Sequence, residues 1–97
     1  MRSDIRRFAN ESALEHERMS AVDENLRVRS ILMERLRDLI TTRRLTQVQA
    51  ARWFNVSQPR ISHLVHDRIN RFTTDSLINM LAHTGACVSI EFHQRDK

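Results

Sequence analysis

Apolar residues recur at helical spacing over residues 26–44, where Val28, Leu32, Leu36, Leu39 and Ile40 form one stripe and Ile31 widens it. Arg27, Glu34, Arg37 and Asp38 fall on the other face, so the segment reads as a scaffold helix. The next block, Thr46 to Arg68, reads as two short helices joined by a tight turn. Thr46 is a good N-cap and Gln49, three residues on, completes a capping box, with Leu45 and Ala50 at staple positions. The turn falls at Asn55, a residue that tolerates a left-handed backbone. Ser57 caps the second helix, flanked by Val56 and Ile61, and Pro59 lies in the first turn, where a missing N–H costs little. Ala51 is small enough for the two helices to approach closely. Ile61, Leu64 and Val65 make the second helix's buried stripe, which leaves Gln58, Arg60, Ser62, His63 and His66 outward. A later helix is capped by Thr73, stapled by Phe72 and Leu77, striped by Leu77, Ile78 and Leu81, and stopped at Gly85. Val88, Ile90 and Phe92 then alternate with Ser89, Glu91 and His93, the period-two signature of a strand over Cys87 to His93, and Gln94 to Lys97 should fray.

The pattern predicts an all-α fold of four to five helices containing a helix-turn-helix, with one C-terminal β-strand. Residues 26–86 form the helix-turn-helix domain, 1–25 an N-terminal appendage and 87–97 the strand and tail. The appendage carries the weakest signal. Ile5 and Phe8 share a helix face, but Met19 and Val22 do not sustain it. It is either a short helix packing on the domain or a segment that orders on a partner. The lone strand raises a different question, because its backbone N–H and C=O groups need partners. Unless residues 1–10 supply a second strand, the simplest remedy is antiparallel pairing with the same strand of a two-fold mate. Val88, Ile90 and Phe92 would then be the dimer interface, facing the helices.

Composition narrows the class. The 97 residues include one glycine and one proline, so long loops are not expected. The single cysteine, Cys87, excludes an intrachain disulfide. Asp4 and Glu11 sit where a secretory signal would need an apolar core, and no apolar run approaches the ~18 residues of a membrane span, so the expected location is cytoplasmic. The net charge of +4 is unevenly placed. Residues 1–42 hold eight arginines against eight acids, whereas residues 43–74 hold six arginines (Arg43, Arg44, Arg52, Arg60, Arg68, Arg71) against Asp67 alone. Fifteen of the sixteen basic residues are arginine, the side chain suited to bidentate phosphate and guanine contacts. A GC-rich genome also explains an arginine preference, but not the segregation of the charge.

Other constellations carry little chemistry. His63 and His66 lie three apart on one helix face, but the sequence places no third or fourth ligand, so no metal is expected. Cys87 near His83 or His93 lacks an orienting third group for nucleophilic catalysis. Glu15 and Glu17 belong to a solvated face, and Trp53 packs under the turn. Neither an enzyme nor a cofactor is indicated.

The block from Leu45-Thr46-Gln47 through Ala51, Asn55-Val56-Ser57-Gln58, Ile61 and Leu64 resembles the Xre-type (Cro/repressor-like) helix-turn-helix family. With the flanking helices the likeness covers about two-thirds of the chain. The Ser57-Gln58-Pro59-Arg60 turn is also similar to that of short regulators and antitoxins of bacterial toxin–antitoxin pairs. Asn55 and Asp67 stand where that family often has glycine. The resemblance implies a sequence-specific DNA-binding transcriptional regulator, a repressor. The alternative is an antitoxin that neutralises a cognate toxin, held by residues 1–25, and represses its own operon. A protein-interaction module without DNA binding is the reading from a different class. The resemblance places Gln58, Arg60 and His63 in the major groove, with Arg60 at guanine or a phosphate, includes Pro59 and Ser62 among the DNA-binding residues, and sets Thr46, Gln47, Ser57 and Arg68 at phosphates, with Arg43 and Arg44 beside them. The implied partners are double-stranded operator DNA and a second copy of the chain.

Overall fold

The computed structural model describes residues 10–94, with side chains described from Ala21 onward. Helix α1 runs from Asn10 to Thr42. Its 33 residues extend about 50 Å at 1.5 Å per residue. Neither glycine nor proline interrupts it, so it continues far N-terminal to its apolar stripe. Residues 21–27 are exposed apart from the half-buried Leu26, and packing begins at Val28. The helix-turn-helix follows as α2, Gln47–Phe54, and α3, Gln58–Val65. A 3-10 turn, Ile69–Arg71, leads to α4, Thr74–His83. Ile5, Phe8 and the second strand considered for residues 1–10 lie outside the described residues, except for Asn10, which opens α1.

One core joins the helices. It takes Leu32, Met33 and Leu36 from α1, Ala50, Ala51 and Phe54 from α2, Ile61 and Leu64 from α3, and Leu77, Met80 and Leu81 from α4, with Phe72 from the connector. Val28, Leu39, Ile40, Leu45, Trp53, Val56, Val65, Ile69 and Ile78 pack around it. The helix starts follow the sequence. Thr46 Oγ1 accepts from the Gln49 amide while Gln49 Oε1 accepts from the Thr46 amide, closing the capping box. Ser57 accepts from the Arg60 amide. Thr73 and Ser76 form a second reciprocal box, which uses a serine in the usual Glu or Gln position.

The four helix ends share one device. Each closes with a left-handed residue and a crossed pair of hydrogen bonds, the Schellman arrangement. The left-handed residues are Arg44 (φ 53°), Asn55 (φ 61°), Asp67 (φ 56°) and Gly85 (φ 90°). At Asn55 the crossed pair is Asn55 N–H to Arg52 O at 3.2 Å and Val56 N–H to Ala51 O at 2.9 Å. Corresponding pairs close α1 around Arg44, α3 around Asp67 and α4 around Gly85. Gly85 therefore stops α4 as its sequence position predicts. Asn55 and Asp67 perform the glycine role with side chains that tolerate it, whereas Arg44 has no such local advantage. Arg44→Gly is accordingly expected to stabilise the fold by about 0.5–1 kcal/mol, read as a higher urea midpoint at unchanged slope.

Three expectations change. Ile31 turns half out to solvent, and Met33 takes the buried place beside Leu32 and Leu36. Met80 is likewise buried next to Leu77 and Leu81, while Ile78 is half-buried. The unbranched thioether fills gaps that stripe-counting assigns to branched residues. The third change concerns the C-terminal strand, which is not formed among the described residues. Ala86 to Gln94 has no regular secondary structure, and Cys87 to Gln94 makes no backbone hydrogen bond there. A strand is defined by its ladder, and the described chain contains no second strand to complete one.

Candidate nucleic-acid interface

Helix α3 is held against the scaffold by arginines. The Arg37 guanidinium, on α1, donates to Leu64 O at 3.4 Å and pairs with Asp67 at 3.1 Å. The lone acid of the basic region is therefore countered, and its pairing fixes the left-handed end of α3. One turn-pair earlier on α1, Arg29 donates from Nη1 to Ile69 O and Phe72 O, both at 3.3 Å, and so ties down the 3-10 turn. The Arg29 Nε is buried with no hydrogen-bond partner among the described residues. Arg60 completes the set from α3 itself. Its guanidinium donates to Arg71 O at 3.0 Å and lies over the Phe72 ring, 4.6 Å from the centroid.

These clamps sort the candidate residues. Arg60, expected at a base edge, is half-buried and turned back onto the connector. Gln58 and Pro59 are exposed at the start of α3, and Ser62 and His63 follow, half-buried, on its outward side. His66 lies one turn beyond Ser62, exposed, with Nδ1 at 2.8 Å from Ser62 O. A carbonyl only accepts, so Nδ1 is the donor of this bond. Arg68 and Arg71 are exposed at the two ends of the 3-10 turn, three residues apart and therefore on one side of it. They frame His63. Desolvation, then the charges of Arg71, Arg68 and Arg60 and finally His66, hold its pKa below the ordinary histidine value of 6.5. The cationic frame thus favours the neutral ring.

Thr46 and Gln47 sit at the start of α2, where Thr46 is exposed and Gln47 half-buried. The box at Thr46 binds the Gln49 amide but leaves the first-turn amides of Gln47 and Val48 directed along the helix axis. Ser57 is exposed at the start of α3. The Arg43 guanidinium stacks over Trp53 at 4.5 Å, and Trp53 in turn stacks on Phe54 with centroids 5.6 Å apart. Trp53 therefore packs at the edge of the core, half-buried, as its position on the first helix suggests. Arg71 was missing from the expected contact residues. Its spacing from Arg68 was visible, but only the 3-10 turn places both beside His63.

A short helix capped at Thr46, a left-handed turn at Asn55 and a second helix with a polar outward face are the parts of a helix-turn-helix. The family model described as helix-turn-helix domain matches residues 15–93. The chain belongs to the helix-turn-helix domain family. No curated protein matches it. The family assignment points to DNA binding of the kind regulators use, with α3 in the position of the recognition helix. In this helix-turn-helix protein no described helix is long and apolar enough to cross a membrane. Among the described residues no group of three or more His, Cys, Asp or Glu side chains gathers to hold a metal.

Proposed function

We propose that the chain is a sequence-specific DNA-binding transcriptional regulator of the Xre type, acting as a repressor. The observation that carries this reading is the outward face of α3, where Gln58, Ser62, His63 and His66 present donors and acceptors beside the exposed Arg68 and Arg71. Neutral groups in the middle suit base edges, and guanidinium groups at the border suit phosphates. Gln58 suits adenine in a bidentate pair. Ser57, Arg68 and the amides at Thr46 and Gln47 provide phosphate contacts that fix the register. Arg60 contributes by holding Arg71 and Phe72 in place. One recognition helix reads one half-site, so the reading requires two copies about one DNA turn, roughly 34 Å, apart.

The antitoxin form of this reading uses the same surface and adds a toxin on the part of α1 that precedes the core. The observation favouring it is the continuation of α1 back to Asn10, with residues 21–27 exposed apart from the half-buried Leu26.

The test is binding to DNA from the gene's own upstream region. Gln58→Ala is expected to weaken specific binding by roughly 1–3 kcal/mol while sparing random DNA. Fluorescence anisotropy at two salt concentrations measures both. Equal losses on the two DNAs would remove Gln58 from base readout, and no binding to any duplex at low salt would remove the regulator reading.

A further inference from the structure

Helix α3 stops at Asp67, whose left-handed backbone (φ 56°) closes the crossed hydrogen bonds of that end. Glycine, asparagine and aspartate all tolerate this conformation, and of the three only aspartate brings a charge. Asp67 is the single acid between residues 43 and 74, and it stands between His66 and Arg68. Its side chain is 65% exposed, so burial does not hide the carboxylate. The Arg37 guanidinium, carried by α1 and 29% exposed, meets it at 3.1 Å. The same Nη1 donates to the Leu64 carbonyl at 3.4 Å. That carbonyl belongs to the last turn of α3, where the helix dipole has its negative pole. One cation from the scaffold helix therefore answers two negative groups at the end of α3.

Those groups sit at the border of the proposed interface. Asp67 precedes Arg68, and its carboxylate is on the order of a Debye length, ~8–10 Å, from a phosphate that Arg68 holds. A bare carboxylate at that range repels the phosphate and offsets the attraction of Arg68. We propose that Arg37 is a positioning residue for DNA binding: it cancels the charge of Asp67 and so makes the end of α3 acceptable to a phosphate backbone. The inference rests on the DNA-binding reading above and assigns part of its electrostatics to α1, 30 residues away in sequence. Asparagine at position 67 would hold the same backbone with nothing to cancel, which separates the charge effect from simple bracing of α3.

The experiment is fluorescence anisotropy of the full chain on DNA from the gene's own upstream region and on a random duplex, at two salt concentrations. The proteins are the wild type, Arg37→Gln, Asp67→Asn and the double variant, each checked by helical circular dichroism. Arg37→Gln is expected to bind both duplexes roughly three- to tenfold more weakly at low salt, with a flatter salt slope, because phosphate contacts carry no sequence. Adding Asp67→Asn should return affinity and slope to near the wild type, although neither contact of Arg37 is regained. Asp67→Asn alone keeps the left-handed stop and releases Arg37, so it should bind at least as tightly as the wild type, and it tests the charge effect even where Arg37→Gln fails to fold. Weaker binding by Asp67→Asn, wild-type binding by a folded Arg37→Gln, or a double variant as weak as Arg37→Gln would overturn this proposal and leave the DNA reading standing. A wild type that binds neither duplex at low salt would remove both.

Discussion

Phe54→Ala is expected to destabilise the protein by about 3–5 kcal/mol, enough to unfold much of a domain this small at ambient temperature. Phe54 is fully buried at the end of α2 and stacks on Trp53, which in turn carries Arg43. Its removal empties the place where α2 meets the rest of the core and loosens the turn at Asn55. Loss of helical circular dichroism and an early urea midpoint are the expected readouts. A variant that keeps the wild-type midpoint would show that Trp53 or Met80 collapses into the space.

The second large effect is expected at Arg29. Removing its guanidinium by Arg29→Ala leaves Ile69 O and Phe72 O without their charged donor, at a cost of about 2–4 kcal/mol. The loss has a functional side, because those carbonyls anchor the 3-10 turn that carries Arg68 and Arg71. Urea denaturation measures the stability. Under conditions where the variant is still folded, its affinity for DNA should fall and depend less steeply on salt, as the two arginines lose their fixed positions. A folded Arg29→Ala protein with an unchanged salt slope would show that the turn holds without α1.

Thr46, Ser57 and Thr73 cap helices as their residue types predict, and Gly85 ends α4, because caps and stops depend on neighbours within four positions. Ile61 and Leu64 of α3 and Leu77 and Leu81 of α4 were legible as buried for the same reason, whereas Met80 was not. What escaped was long-range or lacked periodicity. The start of α1 at Asn10 depends on good helix formers without an apolar stripe, so a search for periodicity places the helix start too late. Arg29, Arg37 and Arg60 look like surface charges in one dimension, yet their targets lie 40, 27 and 11 residues away. The exposure of Gln58 on α3 was therefore legible, whereas the contacts of Arg60 with Arg71 O and the Phe72 ring were not, because only the folded chain brings those partners near. The alternation in the tail was visible, but alternation alone does not make a strand, and the described residues contain no second strand to pair with it.

The left-handed helix ends carry one further consequence. Arg44, Asn55 and Asp67 hold a backbone conformation that disfavours side chains, by about 1–2 kcal/mol for an ordinary residue and less for Asn or Asp. At Arg44 and Asn55 this cost lies away from the outward face of α3, so it can be relieved without touching a residue proposed to read bases. The protein thus contains a reserve for redesign. A background carrying glycine at those stops would tolerate destabilising exchanges at Gln58, Ser62 or His63, and under the proposed DNA reading a new operator preference could be selected on α3 before the fold reached its stability threshold.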